Sequence, residues 1–126
     1  MSAEENLEIA KRGYAAFGAG DAAGAMENIA DDIEWITPGN SAISGVAHNK
    51  QELGQQWAEL AGKGFRTTPQ YWFADGDRVV ALCQVTVGSE SYDSADVLTY
   101  RDGKLVKFQS AGDTAAMERI FGLKDE

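Results

Sequence analysis

Two aspartates, Asp96 and Asp113, are the residues of this sequence best placed for acid–base chemistry. They bracket the segment DVLTYRDGKLVKFQSAGD, in which strand-forming residues flank the dipeptide Asp102-Gly103. An Asp-Gly pair favours a tight hairpin turn because both of its residues tolerate positive φ angles. The predicted hairpin returns Asp113 toward Asp96, and two carboxyl groups in an apolar sheet can have pKa values that are pushed apart. We therefore predict Asp113 as a general base and Asp96 as its acidic partner.

Asp113 has a second interpretation, which does not exclude the first. It precedes the segment TAAMER, a good helix start, so its side chain is also a candidate N-cap. Strict strand alternation would place Asp113 on the opposite side of the sheet from Phe108. A β-bulge near residues 110–112 would reset this parity, and without one the base hypothesis fails. The corresponding alternative for Asp96 is a solvated residue at the start of a strand.

The size, charge and cysteine content of the chain exclude several classes of protein and of binding partner. The chain has 126 residues, 44% of them hydrophobic, which is the size and character of one globular domain. Its net charge of −9 would repel nucleic acid, and the sequence shows no basic cluster. The single cysteine, Cys83, excludes an intrachain disulfide and lies in an apolar run, where burial is expected. The acidic N-terminus is not typical of a signal peptide, and no apolar run reaches the ~20 residues of a membrane span, so we expect a cytoplasmic protein without membrane contact.

The order of elements predicts an α+β fold, with helices near the N-terminus and strands after them. Ser2 and Glu5 form a capping box for the first helix, and Asp21 caps the second. The predicted elements are helices over 3–17, 21–29 and 49–62, a short strand over 33–37, four antiparallel strands within 65–112 and a helix over 114–121. Residues 38–47 are predicted to be irregular. A curved sheet with helices on its concave face would enclose a mostly apolar pocket.

Six residues are predicted to line this pocket. They are Tyr14, Trp35, Thr37, Trp57, Trp72 and Gln84. Alternation places Trp72 on the opposite strand face from Tyr71 and Phe73, while Gln84 contributes only if it faces inward. The only histidine, His48, is expected at the surface beside a helix start, and scattered carboxylates do not predict a metal site. No cofactor is predicted.

Six segments carry a resemblance to a known family. They are YAAFGAGD (14–21), IADDIEWITPG (29–39), SGVAHNK (44–50), ADGDRVVA (74–81), TYRDGKLVKF (99–108) and DTAAMERIFG (113–122). In this order they resemble the NTF2-like superfamily, most closely its SnoaL-like and ketosteroid-isomerase-like branch. The resemblance implies an α+β cone (cystatin-like) and a homodimer packed through sheet faces. It does not fix the function, because this fold hosts several chemistries and non-catalytic binders.

The family's catalytic residues are only partly present. At the position of the ketosteroid isomerase base this chain has Thr37, and the helix tyrosine, Tyr14, is one position from the matching site. Asp96 matches the acid that donates to the oxyanion. Because the other two positions do not match, we do not expect the isomerase mechanism. Asp113 matches the base of SnoaL-like polyketide cyclases, although a histidine common near Asp96 is absent. Asp96 and Asp113 also match the acids of limonene-epoxide hydrolases, but Ser94 replaces their arginine.

Two hypotheses of different class follow. The first is a cofactor-independent enzyme (isomerase, cyclase or hydrolase) acting on a small, mostly apolar carbonyl or epoxide compound, with Tyr14 or Gln84 donating to the developing oxyanion. The second is a non-catalytic domain that binds a small hydrophobic ligand or serves dimerisation. The missing arginine and histidine favour the second hypothesis, and the presence of both aspartates favours the first.

Overall fold

The computed structural model describes residues 2–124, which form four helices packed against a single curved sheet. The helices are α1 (Ala3–Gly18), α2 (Ala22–Met26), α3 (Lys50–Gly62) and α4 (Thr114–Phe121). The strands are β1 (Ile29–Thr37), β2 (Gly45–Ala47), β3 (Phe65–Asp75), β4 (Arg78–Val87), β5 (Glu90–Arg101) and β6 (Lys104–Gly112). The predicted α+β class with helices on the concave face of the sheet is confirmed.

The sheet has the strand order β2-β1-β6-β5-β4-β3. Strands β3 to β6 are joined as consecutive antiparallel neighbours, as predicted. The turn between β5 and β6 has positive φ angles at both Asp102 (52°) and Gly103 (77°), which is the geometry that the Asp-Gly pair predicted. Across this hairpin Asp96 lies opposite Ser110.

The region before residue 65 departs from the prediction. Helix α2 ends at Met26, and β1 begins at Ile29, four residues earlier than the predicted strand. The buried side chains of Ile29 and Ile33 hold this segment in the sheet. Between them the pairing of β1 with β6 shifts its register, and the exposed Asp31 and Asp32 lie in that stretch. Tertiary packing therefore extends the strand through two residues that lay between the predicted helix and the predicted strand.

Two further strand pairings were not predicted. β2 forms within the segment 38–47 and pairs antiparallel with β1. β1 also pairs in parallel with β6, where Trp35 lies opposite Phe108, so the sheet has six strands and one parallel contact. This pairing places the end of β1 beside the strand that follows the hairpin turn.

The main core lies between the sheet and the helices α1 and α3. The predicted capping box of α1 is present, since Ser2 and Glu5 exchange backbone-to-side-chain hydrogen bonds. The Asn49 side chain caps α3 by accepting a hydrogen bond from Glu52 N–H. The best-buried residues of this core are Ile33, Leu53 and Val79, each 0% exposed. These contacts fix both helices over the concave face of the sheet, where they frame an internal space.

In the part of the chain that the structure describes, no helix combines the length and apolar character needed to cross a membrane.

Candidate functional site

A cavity of about 310 Å³ lies between the helices and the concave face of the sheet. Its walls are mostly apolar and aromatic, with contributions from α1, α3 and strands β1, β3, β4, β5 and β6. The aromatic residues among its walls are Tyr14, Phe17, Trp35, Trp57, Phe65, Tyr92, Tyr100 and Phe108. Ligand pockets of proteins are typically of this kind, concave and apolar with a few placed polar groups.

The carboxyl group of Asp96 is the central polar group of this cavity. Asp96 points inward from β5 and is only 6% exposed. The Tyr14 hydroxyl, carried on α1, donates a hydrogen bond of 2.6 Å to Asp96 Oδ2. The Ser94 hydroxyl, two residues earlier on the same strand face, donates to Asp96 Oδ1 at 3.0 Å. Residues from a helix and from the sheet therefore converge on one carboxyl group.

Burial governs the protonation of these groups. Desolvation raises the pKa of Asp96, and the hydrogen bonds from Tyr14 and Ser94 oppose this shift without cancelling it. Burial, followed by the nearby Asp96 charge, raises the pKa of Tyr14 well above its ordinary value. The same two causes raise the pKa of Cys83 to about 12, and its thiol lies 3.7 Å from Asp96 Oδ2. Tyr14 and Cys83 therefore remain protonated near neutral pH, so both act as donors toward Asp96.

A chain of hydroxyl groups extends this polar centre across the sheet. The Ser94 and Ser110 hydroxyl oxygens are 2.9 Å apart, which joins β5 to β6. Ser94 and Ser110 both line the cavity, and sequence reasoning did not select either as a binding residue. Strand alternation offered a signal for Ser94, because residues two apart on a strand share a face with Asp96.

A second polar group lies where α3 meets the end of β1. Gln56 Nε2 donates to Thr37 Oγ1 and to the carbonyl oxygen of Ile43, both at 3.1 Å. All three residues line the cavity. Gln56 was missed, although the spacing of Leu53, Gln56 and the buried residues 57 and 60 places it on the buried face of α3.

Aromatic stacking shapes the rest of the cavity. Trp35 stacks on Phe108 with ring centroids 3.6 Å apart and planes 9° from parallel. Trp57 meets Trp35 edge to face at a centroid distance of 5.7 Å. Tyr14, Trp35, Thr37 and Trp57 thus lie on the predicted cavity wall, while their binding roles remain predictions.

Trp72 does not line the cavity, contrary to the prediction. It does face away from Tyr71 and Phe73, which are exposed, as alternation required. However, its ring packs edge to face on Tyr14 with centroids 5.2 Å apart. Trp72 therefore supports the ring of Tyr14 from behind and is separated from the cavity by it.

Asp113 does not join Asp96 in the cavity, so the predicted acid–base pair is not formed there. Asp113 is exposed, and its side chain accepts a hydrogen bond from the backbone N–H of Ala116 as the N-cap of α4. The register of β6 runs without a shift from Phe108 to Gly112. Strict alternation is therefore kept, and Asp113 falls on the parity opposite to that of Phe108.

Gln84 is also outside the site. Its side chain is exposed, because it lies on the outer face of β4 between the buried Cys83 and Val85. Gln84 therefore cannot donate to a group bound in the cavity. Cys83 itself is buried, as predicted.

The arrangement can hold or move one proton at a single buried carboxyl group. Across residues 2–124, no three side chains of His, Cys, Asp or Glu come together in a group that could bind a metal ion. Asp21 and Glu27 also line the cavity but are exposed, so Asp96 is its one buried carboxyl group among the described residues, and chemistry that requires two buried carboxyl groups side by side is not supported. A hydrogen-bonding group on an otherwise apolar molecule is the ligand feature that this cavity can recognise directly.

Comparison with protein families gives one match. The model of the SnoaL-like domain matches residues 10–108, which include Asp96 and most of the cavity wall. Among curated proteins, none matches the sequence.

Solved structures share the fold over nearly the full chain. Bal32a, from a soil-derived mobile gene cassette, is 25% identical with a TM-score of 0.88, and the match covers 94% of this chain and 98% of that protein. An NTF2-like protein from Burkholderia xenovorans LB400 is 29% identical with a TM-score of 0.82, over 96% and 98% of the two chains. TerC, which was co-crystallised with polyporic acid, is 25% identical with a TM-score of 0.81, over 93% and 98%.

Proposed function

Because the chain belongs to the SnoaL-like family and has the NTF2-like fold, we propose that it binds a small, mostly apolar molecule in its internal cavity. The observation that carries this proposal is the single buried carboxyl group of Asp96 in a mostly apolar space of about 310 Å³. The ligand would present one hydrogen-bonding group to Asp96 and bury its apolar body against Trp35 and Trp57. The crystallisation of TerC with a small organic molecule supports this use of a similar fold.

The test is a binding measurement with a matched pair of variants. Native mass spectrometry of the purified protein would first identify any co-purifying molecule, and calorimetric titration with 2-naphthol would then supply a defined probe. Asp96→Asn removes the carboxyl group, while Asp93→Asn makes the same change at an exposed position of the same strand. We expect Asp96→Asn to weaken 2-naphthol binding about tenfold and Asp93→Asn to leave it unchanged. Equal affinity in all three proteins would contradict the proposal.

Catalysis by Asp96 alone is a second candidate function, favoured by the raised pKa of that residue. Perturbed pKa values are common at catalytic sites, and a carboxyl group in an apolar pocket is a stronger base than one in water. Asp96 would take a proton from the carbon next to a carbonyl group and later return one. The Tyr14 hydroxyl, whose single proton points to Asp96 in the structure, would turn that proton to the oxyanion. Asp113 has no part in this reaction, since it lies outside the cavity.

Deuterium exchange separates the two candidates. Exchange of the α-protons of 1-tetralone in D₂O, followed by NMR, measures proton removal without requiring the natural substrate. An exchange rate above the buffer background that is lost in Asp96→Asn and kept in Asp93→Asn would identify an enzyme. A background rate, together with Asp96-dependent binding of 2-naphthol, would identify a binding domain.

A homodimer formed through the outer face of the sheet is part of the proposal. Tyr71 and Phe73 on β3 are 64% and 58% exposed, and Leu82 on β4 lies directly opposite Tyr71. Contiguous exposed apolar residues are typical of interaction surfaces. The proposed location is the cytoplasm, where the free thiol of Cys83 is in keeping with a reducing compartment.

A further inference from the structure

We propose that the cavity recognises its ligand at two points, with the Thr37 hydroxyl donating a second hydrogen bond to an acceptor oxygen of the molecule. This inference rests on the proposed binding at Asp96 and adds the chemical class of the ligand. The ligand would be an elongated, mostly apolar compound with a hydrogen-bonding group toward Asp96 and a carbonyl or ether oxygen at its other end. Gln56 would be the residue that sets the direction of the Thr37 hydroxyl.

The hydrogen-bond partners of Gln56 fix the orientation of its side-chain amide. The carbonyl oxygen of Ile43 can only accept a hydrogen bond, so the amide atom 3.1 Å from it must be the nitrogen. The same nitrogen lies 3.1 Å from Thr37 Oγ1 and directs its second N–H there. Within residues 2–124 the amide oxygen is enclosed and has no hydrogen-bond partner, so Gln56 itself does not offer that atom to a ligand.

The Thr37 hydroxyl keeps a proton that it can donate to a ligand. A threonine hydroxyl has one proton to donate, and here its oxygen is engaged as an acceptor. Among residues 2–124, the hydrogen bond from Gln56 is the one that the structure gives to the Thr37 hydroxyl. Thr37 lines the cavity and is 9% exposed. The proton is therefore available to a molecule in the cavity.

The strand order sets the distance between Thr37 and Asp96. β1 and β6 run in parallel with Ile36 opposite Gln109, so Thr37 comes next to Ser110. Ser110 in turn lies opposite Asp96 on β5. Thr37 and Asp96 are thus two strand spacings apart, about 10 Å between their backbones. A ligand that meets both must span the cavity floor with an apolar body between its two polar ends.

Three naphthols test the inference by titration calorimetry. 6-Acetyl-2-naphthol has a hydroxyl group for Asp96 and a carbonyl oxygen for Thr37, whereas 6-isopropyl-2-naphthol replaces that oxygen by a methyl group of similar size. Unsubstituted 2-naphthol reports the Asp96 contact alone. In the unaltered protein we expect the acetyl compound to bind about fivefold more tightly than the isopropyl compound, as one net hydrogen bond provides.

Variants assign this preference to its source. Thr37→Val should reduce the acetyl-to-isopropyl ratio to about one, and Thr37→Ser, which keeps the hydroxyl, should retain it. Gln56→Met should lower the acetyl-to-isopropyl ratio, and Gln55→Met is the matched control at an exposed neighbour, where the ratio should not change. Thermal melting would confirm that each variant is folded, and Thr37→Ser keeps the test valid if Gln56→Met does not fold.

The outcomes separate this inference from the proposed function. A ratio near one in the unaltered protein, or a ratio that Thr37→Val does not change, would overturn the two-point proposal. Binding of 2-naphthol that depends on Asp96 would still support the proposed function in that case. Failure of all three naphthols to bind the unaltered protein would overturn both.

Discussion

Tyr14→Phe should destabilise the folded protein more at alkaline pH than at acid pH. The substitution removes one hydroxyl group and keeps the ring, which packs edge to face on Trp72 with centroids 5.2 Å apart. The lost interaction is the 2.6 Å hydrogen bond to Asp96 Oδ2. Its contribution depends on the charge of Asp96, so the effect of the substitution must depend on pH.

The magnitude follows from the two charge states. Burial raises the pKa of Asp96, so in the folded protein its side chain stays neutral to a higher pH than a free aspartate and ionises as the pH rises through the folded pKa. A hydrogen bond between neutral groups contributes about 1 kcal/mol, and one to a charged group about 1.5–3 kcal/mol. The free energy of unfolding should therefore fall by about 1 kcal/mol where Asp96 is neutral and by about 2–3 kcal/mol once Asp96 is ionised. The difference corresponds to a further rise of about one unit in the folded pKa, at about 1.4 kcal/mol per unit.

The sign of the pH dependence is opposite to that of a salt-bridged aspartate. Because the folded pKa of Asp96 is raised, the folded state binds more protons than the unfolded state between the two pKa values. The contribution of Asp96 to stability is therefore fully present below its unfolded pKa of about 3.9 and is lost as the pH rises through the folded pKa. Tyr14→Phe raises the folded pKa further, so the loss continues to higher pH.

Urea unfolding at several pH values between 4 and 8 measures this effect. The proteins to compare are the unaltered chain, Tyr14→Phe, Asp96→Asn and the double variant. In the Asp96→Asn background the loss caused by Tyr14→Phe should be the same at every pH, because no charge changes at residue 96. An equal loss at pH 4 and pH 8 in the presence of Asp96 would refute the reasoning.

Three other predictions concern residues away from this hydrogen bond. Asp113→Asn should leave both the thermal midpoint and the 2-naphthol affinity unchanged, since Asn caps a helix as well as Asp. Asp113→Ala should lower the free energy of unfolding by about 1 kcal/mol in urea. Weaker 2-naphthol binding by Asp113→Asn would show that Asp113 belongs to the binding site. Trp35→Ala should lower the free energy of unfolding by about 2–3 kcal/mol because it removes the stack on Phe108, and a loss below about 1 kcal/mol would contradict a structural role. Leu82→Lys should convert the proposed dimer to a monomer in light scattering after size exclusion, and an unchanged mass would place the interface elsewhere or show that the chain is a monomer without it.

The parts of the fold that local sequence controls were predictable. The capping box at Ser2, the cap at Asp21 and the Asp102-Gly103 turn each act within a few residues, and the structure contains all three. The start of β1 at Ile29 was not predictable in this way. It depends on the pairing with β6, more than seventy residues later in the chain, and no local signal marks that partner.

In the candidate site, too, features set by local sequence were predictable and features set by long-range contacts were not. Asp96 was predictable as a buried acid because it shares a strand face with the apolar residues Leu98 and Tyr100, two and four positions later. The partnership of Asp96 with Tyr14 was not, since it joins α1 to β5 across 82 positions of sequence. The outward orientation of Asp113 was predictable from strand alternation along β6. Only a bulge could have turned Asp113 inward, and the register shows none between Phe108 and Gly112.

The surroundings of Asp96 argue that the cavity is used. An apolar residue in its place would avoid the desolvation that raises the pKa of Asp96, so the carboxyl group does not serve the stability of the fold at neutral pH. The donors from Tyr14 and Ser94 reduce this unfavourable term without removing it. A group that disfavours folding, held by donors from two elements and placed in a mostly apolar cavity between them, is best explained by what it binds. For this reason we expect Asp96→Asn to gain stability at neutral pH and to lose ligand affinity, and the two effects together would distinguish a binding residue from a structural one.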